Sequence, residues 1–182
     1  MFGGKSAFRK AALVRVALLA MSLPGTGVSA SQDSSDAQFV ASASSGSIAE
    51  VRLGELAQQR GSSKAVKDLG KRMLDDHTAT NQKLQMIAAK EKMNITADLT
   101  PEDRATYSKL TNLLGPAFDK AYALEMVRDH QKDIAEFEKE AQYGKEPAVR
   151  KLAQEVLPTL KQHLQLAQEM QKALESGASG GM

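Results

Sequence analysis

The stretch Leu53–His77, LGELAQQRGSSKAVKDLGKRMLDDH, contains the end of one helix, a tight link and the start of the next. Leu53 and Ala57 fall four apart; after the break, Val66, Leu69, Gly70, Met73 and His77 resume spacings of three and four, the repeat of one helical face. Gly61 suits a helix end, and Ser62 and Ser63 offer side-chain oxygens to the free amides that open the second helix. So short a link forces an antiparallel helical hairpin.

The same punctuation returns along the chain. The first helix runs from about Asp36 to Arg60 with the stripe Phe39, Ala43, Gly46, Glu50, Leu53 and Ala57, and the second continues through Leu84 and Ile87 to about Met93. In the loop NITADLTPEDR, residues 94–104, Thr100 is an N-cap and Pro101 a first helical residue, so a short helix extends to Leu114. Gly115 and Pro116 break the chain and open a third long helix, whose stripe is Phe118, Tyr122, Met126, His130, Ile134, Phe137 and Ala141, ending at Gly144. A fourth begins at Pro147, carries Val149, Leu152, Val156, Leu160, His163, Ala167, Met170 and Leu174, and fades near Glu175. Pro158 removes an amide and should kink this last helix. With no alternating strand pattern, the expected fold is all-α: an antiparallel four-helix bundle over residues 36–175, with the short extra helix in the connection between helices two and three. In an up-down-up-down bundle both hairpins lie at the same end. Residues 31–35 and 176–182, the latter SGASGGM, read as flexible ends.

The first thirty residues stand apart. Lys5, Arg9, Lys10 and Arg15 precede the apolar run VALLAMSL, Pro24 and Gly25 break it, and VSA ends at Ala30, the pattern of a secretory signal peptide. Ala30 rather than Cys precedes the expected cut, which excludes a lipid anchor on cysteine. The chain has 24 basic and 22 acidic side chains; without the four basic ones of the signal, 20 face 22, a net of −2. That balance argues against nucleic acid as a partner. There is no cysteine, so the exported product relies on its apolar core. With no second long apolar run, a soluble periplasmic protein without a transmembrane segment is expected.

Four polar residues interrupt the stripes, one per helix: Glu50, His77, His130 and His163, which include every histidine of the chain. At a rise of about 1.5 Å per residue, Glu50 and His77 lie roughly 18 and 22 Å below the first hairpin, and His130 and His163 roughly 22 and 27 Å below the second. All four then meet mid-bundle. Three imidazoles and a carboxylate from four helices suit a single transition metal ion such as zinc, copper or iron, so the leading expectation is a non-catalytic bundle that binds a transition metal or a small ligand in envelope stress or metal handling. Met73 and Met126 precede His77 and His130 by one turn, and thioethers would favour copper(I). The competing readings are a buried hydrogen-bond network that fixes helix register in a structural or interaction protein, and a mononuclear-metal oxidase or peroxidase. Asp76 and Asp129 sit about 100° around the helix from the histidines that follow them and cannot orient those rings; they read as solvated flanks or as partners of a residue across a helix boundary. Asp119 and Tyr122 are further possible neighbours, although an acid so near Pro116 also suits the dipole of its own helix.

The segments SGSIAEVRLGELAQQRGSSKAVKDLGKRMLDDHTATNQKL, GPAFDKAYALEMVRDHQKDIAEFEKEA and LPTLKQHLQLA together resemble domain-of-unknown-function family 4142, over about residues 36–172. The resemblance implies an exported bacterial protein with a ferritin-like helical bundle, often labelled an outer-membrane protein, and prominence for Glu50, His77, Phe118, Asp119, Tyr122, His130, Leu157, Pro158 and His163. It implies no reaction. The chain also departs from di-iron bundles, which use four carboxylates and two Glu-x-x-His motifs; it has no Glu-x-x-His, which argues against ferroxidase chemistry and for one metal at most.

Overall fold

The computed structural model describes Met1, residues 35–95 and residues 98–179. The expected signal segment therefore lies outside the described residues except for Met1. Five helices and no strand are present among those described: α1 Ser35–Arg60, α2 Lys64–Glu91, α3 Pro101–Thr111, α4 Gly115–Tyr143 and α5 Pro147–Ser179. Their starts follow local chemistry. Ser63 caps α2 by accepting from the Val66 amide, and Thr100 and Asp103 form a reciprocal capping box on α3. Gly115 opens α4 at φ 59, a conformation other residues adopt at a cost. α5 continues through Pro158 and ends at Ser179, beyond the expected limit near Glu175.

α1 packs chiefly on α2 and α4 on α5, while α2 against α5 and α1 against α4 complete the square. The contacts between α1 and α4 set the direction. Asp36, at the start of α1, accepts from the amides of Lys145 and Glu146 beyond the end of α4. Asp119, near the start of α4, accepts from the amides of Ser62 and Ser63 beyond the end of α1, each at 2.9 Å. The two hairpin turns thus lie at opposite ends, not at the same end as an up-down-up-down order requires. α4 runs parallel to its diagonal partner α2, and every adjacent pair remains antiparallel. The connection between them allows this: α2, with 28 residues, is about 42 Å long, and the 11-residue α3 together with a dozen further residues, whose maximal reach is about 3.3 Å each, is long enough to return the chain along that whole length.

Depth survives the reversal. α4 has 29 residues and is about 43 Å long, so His130, near its middle, lies about as far from one end as from the other. The apolar core is divided accordingly. One cluster, including Leu53, Val66, Met73, Phe118, Tyr122, Met126 and Met170, fills the end near the α1–α2 turn. Another, including Phe39, Leu84, Phe137, Val149, Leu152 and Leu160, fills the end near the α4–α5 turn. The histidines occupy the layer between. α1 and α2 approach closely because Gly54 and Gly70 face each other: a Cβ added at Gly54 would lie 2.4 Å from the Gly70 carbonyl oxygen.

Candidate metal centre

His77 from α2, His130 from α4 and His163 from α5 converge, each offering a ring nitrogen within 4.8 Å of the others. All three are buried, at 4%, 0% and 1% exposure, so their polar atoms must find partners inside the protein. The ring centroids are 5.3–5.6 Å apart, with His130 edge-on to both of the others. Burial depresses each imidazole below its ordinary pKa: His130 to about 4, with His163 adding to the effect, and His77 strongly, with both neighbouring rings contributing. His163 is lowered by burial against the opposing pull of Asp76. Near neutral pH the cluster is three neutral imidazoles, the protonation state a metal requires.

The outer partners fix which nitrogens carry protons. His130 Nδ1 lies 2.9 Å from the Met126 carbonyl oxygen, and His163 Nε2 lies 2.8 Å from Asp76 Oδ2. Both partners only accept, so each of these nitrogens is the N–H of a neutral ring. The inner nitrogens, His130 Nε2 and His163 Nδ1, then face each other at 3.3 Å with a lone pair on each. Neither can donate to the other unless a further proton is supplied, whereas a cation between them could accept both lone pairs. His77 finds no partner for either nitrogen. A carbonyl and a carboxylate holding the outer N–H groups of imidazoles whose inner lone pairs converge is the outer-shell arrangement of metal-ligating histidines. The 3.3 Å separation also matches the edge of a tetrahedron with metal–nitrogen bonds of about 2.0–2.1 Å.

The other expected members behave differently. Glu50 is buried in the bundle but lies outside the three-histidine group, with neither carboxyl oxygen hydrogen-bonded. It faces the α3–α4 side instead, lining a pocket with Asp129 and Asp133, and burial followed by those acids pushes its pKa well up. A stripe position spans a wide arc of helix, enough for Glu50 to share the depth of the histidines and point past them. Met73 and Met126 fill the apolar cluster near the α1–α2 turn, and Met126 serves His130 through its carbonyl. Tyr122 stacks on Phe118 at 5.6 Å, its hydroxyl unpartnered. Asp119 is a brace for the α1–α2 turn, also accepting from Ser62 Oγ at 2.7 Å; it serves the start of α2 rather than its own helix. Asp76 is the residue the sequence reading underrated. It bonds across the boundary to His163, and the antiparallel pairing of α2 with α5, which sets Lys83 against Glu155 one register further on, puts the two at one level.

Fold and site together define an all-α bundle with a buried three-histidine layer. The family model described as Domain of unknown function (DUF4142) matches residues 23–170, and the chain belongs to that family. A crystal structure titled a DUF305 fragment from Deinococcus radiodurans is similar in fold: its TM-score is 0.65 at 16% identity, over 78% of this chain and 95% of that one. No curated protein gives a significant match. Among the described residues no helix is long and apolar enough to cross a membrane.

Proposed function

We propose that the protein is an exported metal-binding bundle that holds one transition metal ion on His77, His130 and His163. The observation that carries this reading is the pair of inner lone pairs held face to face by acceptors on the outer nitrogens. Neutral imidazoles suit zinc(II), copper(II) or iron(II), and the buried methionines do not extend the ligand set towards copper(I). Asp76 supplies the negative charge that the sequence reading assigned to Glu50, leaving a net charge of +1 with a divalent ion. Export rests on the signal-like N-terminus, and the long crossover is the connection found in ferritin-like bundles. Metal handling in the cell envelope fits both.

A purely structural histidine network is the second reading, favoured by the close His130–His163 contact, in which one shared proton would take the metal's place. Metal analysis of protein purified without a histidine tag separates the two. About one ion per chain is expected, lost in the His77→Ala/His130→Ala variant; equal, substoichiometric metal in both proteins would favour the structural network. Export is tested by fractionating cells and sequencing the mature N-terminus, expected at Ser31; an uncleaved cytoplasmic chain would contradict it.

A further inference from the structure

Between α1, α3 and α4 lies a pocket of about 370 Å³ lined by Glu50, Glu102, Asp103, Asp129, Asp133 and Glu136, with Lys132 the one basic side chain among its lining residues. Arg128 pairs at its edge with Glu102 and Asp129, each at 3.6 Å. At the inner wall Glu50, only 2% exposed, has two carboxyl oxygens without partners. A second, small cavity of about 10 Å³, room for about one water molecule, adjoins His77 beside Ser47 and Thr80. The two share Gly46 and Asp133 as lining residues. A Cβ added at Gly46 would meet nothing within 4 Å, so the missing side chain leaves open space where the acidic pocket borders the histidine layer.

We propose that this pocket is the access route by which a divalent metal cation reaches the three histidines, gathered by the carboxylates, passed by Glu50 and Asp133, and admitted beside Gly46. The inference rests on metal binding at the histidine layer. A concave wall that carries an excess of one charge sign raises the local concentration of the opposite ion and its rate of association. The same acids are poor final ligands here, because they are dispersed around the pocket rather than converging as the imidazoles do.

Stopped-flow binding of Co²⁺ to the full chain, followed by the visible absorption of the cobalt–imidazole centre, tests this. Gly46→Leu should fill the opening and slow association by about tenfold or more, with dissociation slowed in parallel and affinity nearly unchanged. Glu50→Gln, which preserves shape but cannot become anionic as the cation passes, should also slow association. Asp68→Asn, on the α2–α5 face, is the control and should bind at the unsubstituted rate. Unaltered association rates in both Gly46→Leu and Glu50→Gln would overturn the route. A loss of affinity in Glu50→Gln with its association rate retained would overturn it too, making Glu50 a ligand. If the unsubstituted chain shows no saturable cobalt centre, the metal reading itself fails, a result distinct from slow binding.

Discussion

Asp76 holds His163 from the half-exposed rim of the bundle, at 37% side-chain exposure, while the ring it orients is fully buried. Removing such a carboxylate frees the ring to change tautomer and weakens its basicity. Asp76→Ala should therefore weaken Zn²⁺ binding by about 10–100-fold while all three ligands remain, measured by competition with a chromophoric chelator. Glu50 makes a different prediction. Its folded pKa stands above the unfolded value, so as pH rises past 4.5 the unfolded chain ionises and the folded one does not, and stability falls. Glu50→Gln should remove that decline, melting higher than the unsubstituted protein at about pH 7.5 and nearly level with it at about pH 5. A constant difference across pH would show that burial of the ionised form is not the cause. These two residues also mark what sequence could reach. Depth along a helix follows from counting residues, so the meeting of the histidines was legible. The direction of a side chain across a helix boundary depends on which helix lies there, and that knowledge is what decides for Asp76 the cross-boundary bond over the solvated flank and turns Glu50 away from the histidines.

At the level of the elements, Asp36 and Asp119 form a matched pair of braces. Each is buried, and each accepts from amides of the turn that ends at the opposite helix of the α1–α4 pair. Replacing either with alanine takes the carboxylate acceptor from two half-buried turn amides, at a cost of about 1–3 kcal/mol in denaturant unfolding. Because the braces sit at opposite ends of the bundle, the double variant should lose about the sum. The glycines of α1 divide in the same way. Gly54→Ala forces a methyl group against the Gly70 carbonyl and should cost about 2 kcal/mol or more, whereas Gly46→Ala meets open space and should be neutral or stabilising by about 0.5–1 kcal/mol. Helix limits were legible because Gly61, the Thr100–Pro101 cap, Gly115 and the Gly144–Pro147 link carry their own backbone chemistry. The direction of α4 was not, since a crossover long enough to span the bundle permits either course.

For the whole molecule, the histidine layer is a weakness in the apo-protein and would be a source of stability with the proposed ion bound. The buried rings have folded pKa values below 6.5, so as pH falls below that point the unfolded chain takes up protons that the folded chain refuses, and stability is lost towards about pH 4, where His130 protonates. The apo-protein should therefore melt at progressively lower temperature on acidification. A metal that binds only the folded form adds about 2.7 kcal/mol at a hundredfold excess over Kd, a rise in melting temperature that acid should erase. Burial of three imidazoles between two apolar clusters, with no partner for His77, is costly for a bundle that needs only a core, and the proposed ion would offset that cost. The most direct test is anomalous diffraction at the zinc edge from crystals grown with Zn²⁺. A single strong peak about 2.0–2.1 Å from one nitrogen each of His77, His130 and His163 is the predicted result. Peaks confined to surface carboxylates, with the three rings ordered and no density between them, would contradict it.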